Sequence, residues 1–446
     1  MNAFADKQTL EDLNLTGKYK PGSIFSLFNK VKTGGAEKLL EEMFRTPLVN
    51  AGEINRRSGI FQYFSRTKYV FPFEGSAFGF VEDYLGSGGQ GPFITALLYV
   101  FRKRVLFAVT RDEGFTRIRE GVPAAIAFLR ACRTFIDGFD ARDQGNPFLS
   151  EILDARSILH DSRLSLLMRE GGGNSSLVRL ASAHHLLTYV MQQEMEQLLA
   201  ILQQLDVFIT VGTIAGQRGF SFAQAMPEEA YLFRAVNLRH PSLEAAVGNA
   251  ITADRYRNVV FLTGANMAGK STFMKSFGIA LYLGHMGFPV AAGEMVFSVR
   301  EGLYSSINVP DDLMQGYSHF YAEVQRVKLI ADEVSQSRSL VVIFDELFKG
   351  TNVKDAYEAT LSVTAAFAEY RNCLFIISTH IVEVGEALRD HDNVQFTYLP
   401  TIMEGKTPRY TYRLREGISN DRHGMMIIEQ EGILEMITKP AVSTRE

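Results

Sequence analysis

Residues 264–271 read Gly-Ala-Asn-Met-Ala-Gly-Lys-Ser and meet the pattern G-x-x-x-x-G-K-[ST] at every fixed position. The apolar run Val259-Val260-Phe261-Leu262 precedes them and Thr272-Phe273-Met274-Lys275-Ser276-Phe277 follows. The octapeptide is therefore predicted to join a buried strand to a helix, which commits this part of the chain to an α/β sheet. The glycines let backbone N–H groups wrap a phosphate chain at the positive end of the helix dipole. Lys270 then lies along the β and γ phosphates of a nucleoside triphosphate, and Ser271 offers its hydroxyl to Mg²⁺. Gly264, Ala265, Asn266, Met267, Ala268, Gly269 and Thr272 complete the expected cradle. The competing explanation, a glycine-rich turn that happens to precede a lysine, is disfavoured by the strand-loop-helix setting.

Two further strand ends fit the same site. Ser339 to Phe344 is a buried-strand pattern that runs into Asp345-Glu346, and strand ends are where α/β sheets take their ligands. Asp345 is expected to hold Mg²⁺ through water and Glu346 to orient or deprotonate the attacking water. Taken alone, two acids after a strand can simply open a solvated loop. The strand Leu374 to Ser378 ends in Thr379-His380. A histidine after a strand is more often structural, but one strand beyond the acids it is a candidate for the γ-phosphate or its water.

The rest of the composition bounds the protein. At 446 residues the chain exceeds one ordinary core, so two or three domains are expected. Cys132 and Cys373 are far apart and lack metal-ligand spacing, which points to a reducing compartment and away from zinc or disulfides. No signal peptide is read at the N-terminus, and the longest apolar runs fall far short of the roughly 20 residues of a membrane span. A cytoplasmic location and no membrane partner are expected. Basic residues number 25 against 23 acidic up to Phe220, and 21 against 27 beyond it, so charge alone gives no nucleic-acid footprint. Arg102-Lys103-Arg104 is a local exception that most simply marks a solvated face.

Helical periodicity dominates before residue 216. Ile24, Leu27, Phe28 and Val31 share a spacing that Leu39, Leu40, Met43 and Phe44 repeat after Gly34-Gly35. Another helix is predicted to follow Pro123, and loops are predicted at 86–92 and 171–174. From Ser175 to about Val211 apolar residues recur every three or four positions without proline or glycine, and one helix of that length would reach about 55 Å. It serves as a core helix or as a strut carrying motion. Beyond Gly216 short β-branched runs alternate with helical patterns, ending in a run over Tyr410 to Leu414. The expected architecture is an all-α domain over 1–215 followed by an α/β P-loop domain over 216–446, with the boundary near 212–230.

With these motifs in place, the chain resembles the MutS family of DNA mismatch repair ATPases, of the ABC-type P-loop class. The resemblance rests on Thr263 to Thr272 with its Asn-Met, on Asp345-Glu346-Leu347-Phe348-Lys349-Gly350-Thr351-Asn352, on Ser378-Thr379-His380 and on Arg239-His240-Pro241. Gln315 to Glu323 resembles the signature segment, which implies that Ser318 faces the γ-phosphate held by the other subunit of a homodimer. Read on its own, Ser318 is also a helix N-cap. Ser23 to Thr33, with Leu39-Leu40 and Pro47-Leu48, resembles the opening of the core domain, and the helix ending near Gln204-Leu205-Asp206-Val207 its lever arm. In the adenine-side segment the family has an aromatic residue ahead of an Asn, where this chain has Ala246-Val247-Gly248-Asn249; Asn249 is the nucleotide contact expected there.

The resemblance also implies departures. The core begins within about 25 residues, so the mismatch-reading and connector domains are expected to be absent, the clamp arm absent or much shortened, and the helix-turn-helix after Ile437 missing. Phe80-Val81-Glu82 and Phe367-Ala368-Glu369 spell the family's Phe-x-Glu wedge but fall in the wrong domains. ATP and Mg²⁺ are the implied ligands, and DNA recognised by structure rather than sequence the implied partner. The alternative is an ATP-gated dimerising module with little hydrolysis and a protein partner; a phosphotransferase finds no acceptor pocket in the sequence.

Overall fold

The computed structural model describes residues 4–17, 22–86, 91–110, 113–170, 176–265, 267–307, 319–404, 407–419 and 436–437. The first eleven helices are α1 (Lys7–Asp12), α2 (Ile24–Phe28), α3 (Gly34–Arg45), α4 (Ala51–Arg66), α5 (Gly75–Leu85), α6 (Phe93–Thr110), α7 (Glu113–Asp137), α8 (Leu149–Leu159), α9 (Ser162–Glu170), α10 (Leu177–His185) and α11 (Gln192–Arg218). Strands β1 (Ser221–Phe222), β2 (Gln224–Met226), β3 (Phe233–Leu238), β4 (Asn249–Ala253) and β5 (Val259–Gly264) lead to α12 (Lys270–His285). Then come β6 (Pro289–Val290), β7 (Glu294–Ser298), β8 (Gly302–Ser306), α13 (His319–Ser335), β9 (Leu340–Asp345), α14 (Val353–Ala368) and β10 (Leu374–Ser378). The last elements are α15 (Val382–Ala387), β11 (Val394–Leu399), β12 (Thr401–Glu404), β13 (Thr407–Tyr410) and β14 (Arg415–Glu416).

Two compact units are present, but they are not consecutive halves. One comprises 1–27, 46–58 and 219–446; the other comprises 28–45 and 59–218. The division therefore differs from a single boundary at 215/216, because two N-terminal segments pack with the α/β unit. Ala5 bridges Leu303 in parallel, and the backbone N–H of Leu48 and the ring of His285 both bond across this unit, to His285 O and Leu48 O respectively.

In the helical unit, α11 is the core element, with Leu198, Leu202, Leu205, Val207 and Val211 buried. It is the described helix long and apolar enough to cross a membrane by length and composition, and 72% of its apolar window is buried inside the fold, as in a core helix. Asp206 of α11 is fully buried and accepts from the N–H groups of Lys32 (2.9 Å) and Thr33 (2.8 Å) and from the Thr33 hydroxyl (3.1 Å), so from 173 residues away it fixes the residue that caps α3, Thr33, whose hydroxyl oxygen accepts from Ala36 N–H at 3.2 Å. The single long helix expected from Ser175 is interrupted: α10 passes through a π turn at Leu186–Val190 and Met191 before α11 begins. Thr188 contributes there, its hydroxyl bonding back to His184 O at 2.8 Å, a local competition that periodicity does not register. Pro123 lies inside α7, not ahead of it. The predicted loops at 86–92 and 171–174 fall largely outside the described residues.

The α/β unit is built on a six-stranded sheet in the order β14-β11-β5-β10-β9-β8, parallel except for β14. Residues of β5 and β10 are buried throughout, as the continuous apolar runs demand of a sheet covered on both faces. A four-stranded sheet, β2-β7-β3-β4, lies on the other side of α12, whose Phe277 ring meets Phe233 of β3 at 4.2 Å. The expected strand over Tyr410 to Leu414 is corrected: β13 ends at Tyr410, and Tyr412 turns into the left-handed region at φ 54°.

Candidate functional site

Parallel strands in register bring their carboxyl ends to one edge. Ser378 pairs with both Asp345 and Leu262, and Leu399 with Gly264, so the exits of β5, β9, β10 and β11 converge where the strand order reverses around β5. The glycine-rich loop leaves from that edge. Gly269 caps α12 at φ 102°, a backbone conformation that calls for glycine, and a Cβ there would also press the Tyr412 ring at 3.1 Å. The α12 N-terminus, with its unpaired N–H groups, faces the loop.

Ala265, Met267, Gly269, Lys270, Ser271, Thr272, Asp345 and Glu346 line one cleft of about 600 Å³, together with Ile307, Lys349 and Tyr412. Lys270 is 5% exposed; its ammonium donates to Gly264 O at 2.8 Å and lies 3.8 Å from a Glu346 carboxylate oxygen. Burial holds the Lys270 pKa below the ordinary lysine value, while Glu346 and then Asp345 push it back up. Glu346 itself has φ 56°, a costly conformation for a non-glycine residue, and is held there by bonds from its N–H to Ser378 O (3.1 Å) and Ser378 Oγ (3.2 Å). The Ser378 hydroxyl donates to Asp345, so one serine on β10 orients both acids.

An adjoining cavity of about 270 Å³ is mostly apolar, lined by Leu238, His240, Leu243, Ala246, Val247 and Phe273 among others, and shares Gly269, Thr272 and Tyr412 with the first cleft. Asn249 lines it too, but its amide is engaged: Nδ2 donates to Tyr412 O (3.0 Å) and Oδ1 accepts from Leu414 N–H (2.7 Å). Asn249 thus anchors the loop that presents Tyr412.

The structure brings together Lys270, Ser271, Asp345, Glu346 and the described loop residues, with Asn249 one cavity away. His380 is exposed, two residues beyond the end of β10, and is not among the residues that line these two clefts; Thr379 before it places its N–H on Leu262 O and accepts from Ile381 N–H through its hydroxyl. Asn266 and Ser318 lie outside the described residues. Tyr412, Ile307 and Lys349 were not legible in the sequence, because no motif spacing marks them; the nearest signal was Lys349 inside the acid-pair segment. Ser271 and Asp345 supply hard oxygen donors at one cleft, and among the described residues no cluster of three His, Cys, Asp or Glu groups forms a metal cage. That set suits a cation that completes its shell with substrate and water.

Residues 260–446 match the family model for MutS domain V. Residues 260–446 thus belong with MutS domain V. It is 27% identical over 241 residues to the DNA mismatch repair protein MutS of Pseudothermotoga lettingae, covering 53% of this chain and 29% of that protein. Against the MutS proteins of Thermotoga petrophila and Thermotoga maritima the identity is 26% and 27% over 212 residues, 47% of this chain and 26% of each relative. The chain therefore spans less than a third of the length of these curated relatives. The MutS domain V match takes in the glycine-rich loop, the acid pair, Ile307, Lys349 and Tyr412, and begins beyond Asn249.

Proposed function

We propose that this MutS-family chain binds ATP with Mg²⁺ and hydrolyses it on an ABC-type P-loop site, and that the helical unit carries the nucleotide state to DNA recognised by its structure. The observation that carries the reading is the single cleft shared by Lys270, Ser271, Asp345 and Glu346. The phosphates fit the α12 N-terminus, where loop N–H groups and the Lys270 ammonium meet the charge that develops at the γ-phosphate. Burial of Lys270 removes competing water and strengthens that attraction. Glu346 orients the attacking water and accepts its proton, from a backbone conformation fixed by Ser378. Ser271 and Asp345 would hold Mg²⁺, which when bound neutralises phosphate oxygens. The apolar cavity beside Tyr412 takes the base. His380 acts at the γ-phosphate, and Ser318 acts in trans across a homodimer, in the cytoplasm.

Lys270→Ala is expected to abolish nucleotide binding, and Glu346→Gln to preserve binding while stopping turnover. Unaltered hydrolysis in both variants overturns the assignments. For the DNA partner, binding to duplex, mismatched, branched and single-stranded DNA is measured against salt with and without ATP; the reading expects ATP-sensitive binding that weakens steeply with salt. Absence of binding to all four at low salt refutes it and favours a protein partner.

A further inference from the structure

The N-terminal turn makes a set of contacts that the site described so far does not use. Phe4 O accepts from Leu303 N–H at 2.7 Å, which adds a short parallel bridge to the β8 edge of the central sheet. Asp6 caps α1 by accepting from Thr9 N–H, and one turn later Asp12, 4% exposed, turns its carboxylate onto the end of β8. A single oxygen, Oδ2, accepts from the Ser305 hydroxyl at 2.7 Å and from Ile307 N–H at 2.9 Å, while Thr9 Oγ1 accepts from Ser305 N–H at 2.9 Å. Ile307 lines the cleft with Asp345 and Glu346.

The same turn holds α13. Arg326, 6% exposed, donates through Nε to Ser305 O at 3.0 Å and forms an ion pair with Asp6. One turn earlier on α13, Glu323 is 5% exposed and lies with Ile307 against Asp345 and Glu346, its carboxylate 3.5 Å from Gly350 N–H. Residues 6–12 therefore tie the exit of β8 and the body of α13 to each other, and both border the acid pair. Buried charged groups are costly unless they are satisfied, so this network holds a narrow geometry.

We propose that Asp12 is a positioning residue for ATP hydrolysis, setting Ile307 and α13 against Asp345 and Glu346. The inference rests on the ATPase reading above. Asp12 does not itself line the cleft, so its loss is expected to change turnover and not affinity. Small displacements of a positioned group cost large factors in rate. Asp12→Ala is expected to lower kcat by about tenfold or more, with Kd for a slowly hydrolysed ATP analogue within about twofold of the parent. Asp12→Asn, whose amide oxygen still accepts from Ile307 N–H, is expected to restore most of kcat.

The test measures kcat and Kd for both variants and for Lys270→Ala, well below the melting temperature of each. An Asp12→Ala protein that melts earlier but keeps its kcat overturns the proposal, since a merely structural brace predicts that pattern. Turnover lost in Lys270→Ala and kept in Asp12→Ala overturns the brace alone; turnover kept in both overturns the site. Should Asp12→Ala fail to fold, Arg326→Lys decides: it keeps the charge facing Asp6 but loses the planar fork on Ser305 O, and an unchanged kcat there refutes the idea.

Discussion

Replacing Asp206 tests how the helical unit is held together. Its carboxylate holds the N-cap of α3 through three donors just ahead of the helix, two of them belonging to the buried Thr33. Burial outweighs those bonds and raises the Asp206 pKa above the ordinary aspartate value, so the carboxylate itself is costly and the donors are what depend on it. Asp206→Ala orphans the Thr33 N–H and hydroxyl at about 1–3 kcal/mol each, while release of the buried charge returns part of that. A net loss of roughly 2–4 kcal/mol is expected, and about half as much for Asp206→Asn, which keeps one acceptor. Because the folded pKa is raised, the Asp206 contribution is fully present below the unfolded value near 3.8 and is lost as pH rises through the folded one. The parent is thus expected to gain on Asp206→Asn as pH falls. Urea unfolding followed by circular dichroism gives the stability, and hydrogen exchange of peptides over 34–45 locates it. A loss below about 1 kcal/mol for Asp206→Ala, or protection of α3 unchanged, refutes the capping argument.

Four further outcomes follow from particular contacts. His285 is fully buried with its pKa depressed to about 4; its contribution is present above the unfolded value near 6.5 and lost as pH falls toward 4, by about 3 kcal/mol in all. His285→Gln should flatten that part of the pH–stability curve. Gly212→Ala puts a Cβ 2.8 Å from the Phe64 carbonyl carbon and Ser65 nitrogen, backbone that cannot swing aside, so a loss of about 1–3 kcal/mol in urea unfolding is expected despite the better helix former. Ser378→Ala removes the hydroxyl that donates to Asp345 and shares the Glu346 N–H, leaving only the backbone bond to Glu346, and should lower kcat about tenfold with nucleotide affinity retained. Asn249→Ala releases the loop bearing Tyr412 and should weaken binding of a fluorescent nucleotide about five- to tenfold, a free-energy loss near 1–1.4 kcal/mol.

The sequence by itself determined the local chemistry of this protein. Gly264 to Ser271 between an apolar strand and a helix, and Asp345-Glu346 at the end of another, are short-range patterns: each follows from what adjacent residues do to backbone conformation and burial. Helical character before residue 216 is legible for the same reason. Tertiary structure alone decided which distant groups share a space. Tyr412 reaches the cleft because Asn249 bonds the loop from 163 residues away, and Ile307 because Asp12 holds it from 295 away. Residues 4–27 and 46–58 join the α/β unit through bridges to Leu303 and His285 that no periodicity carries. The interruption at Leu186–Val190 escaped for a related reason: a π turn changes the hydrogen-bond pattern by one residue and leaves the apolar spacing almost intact.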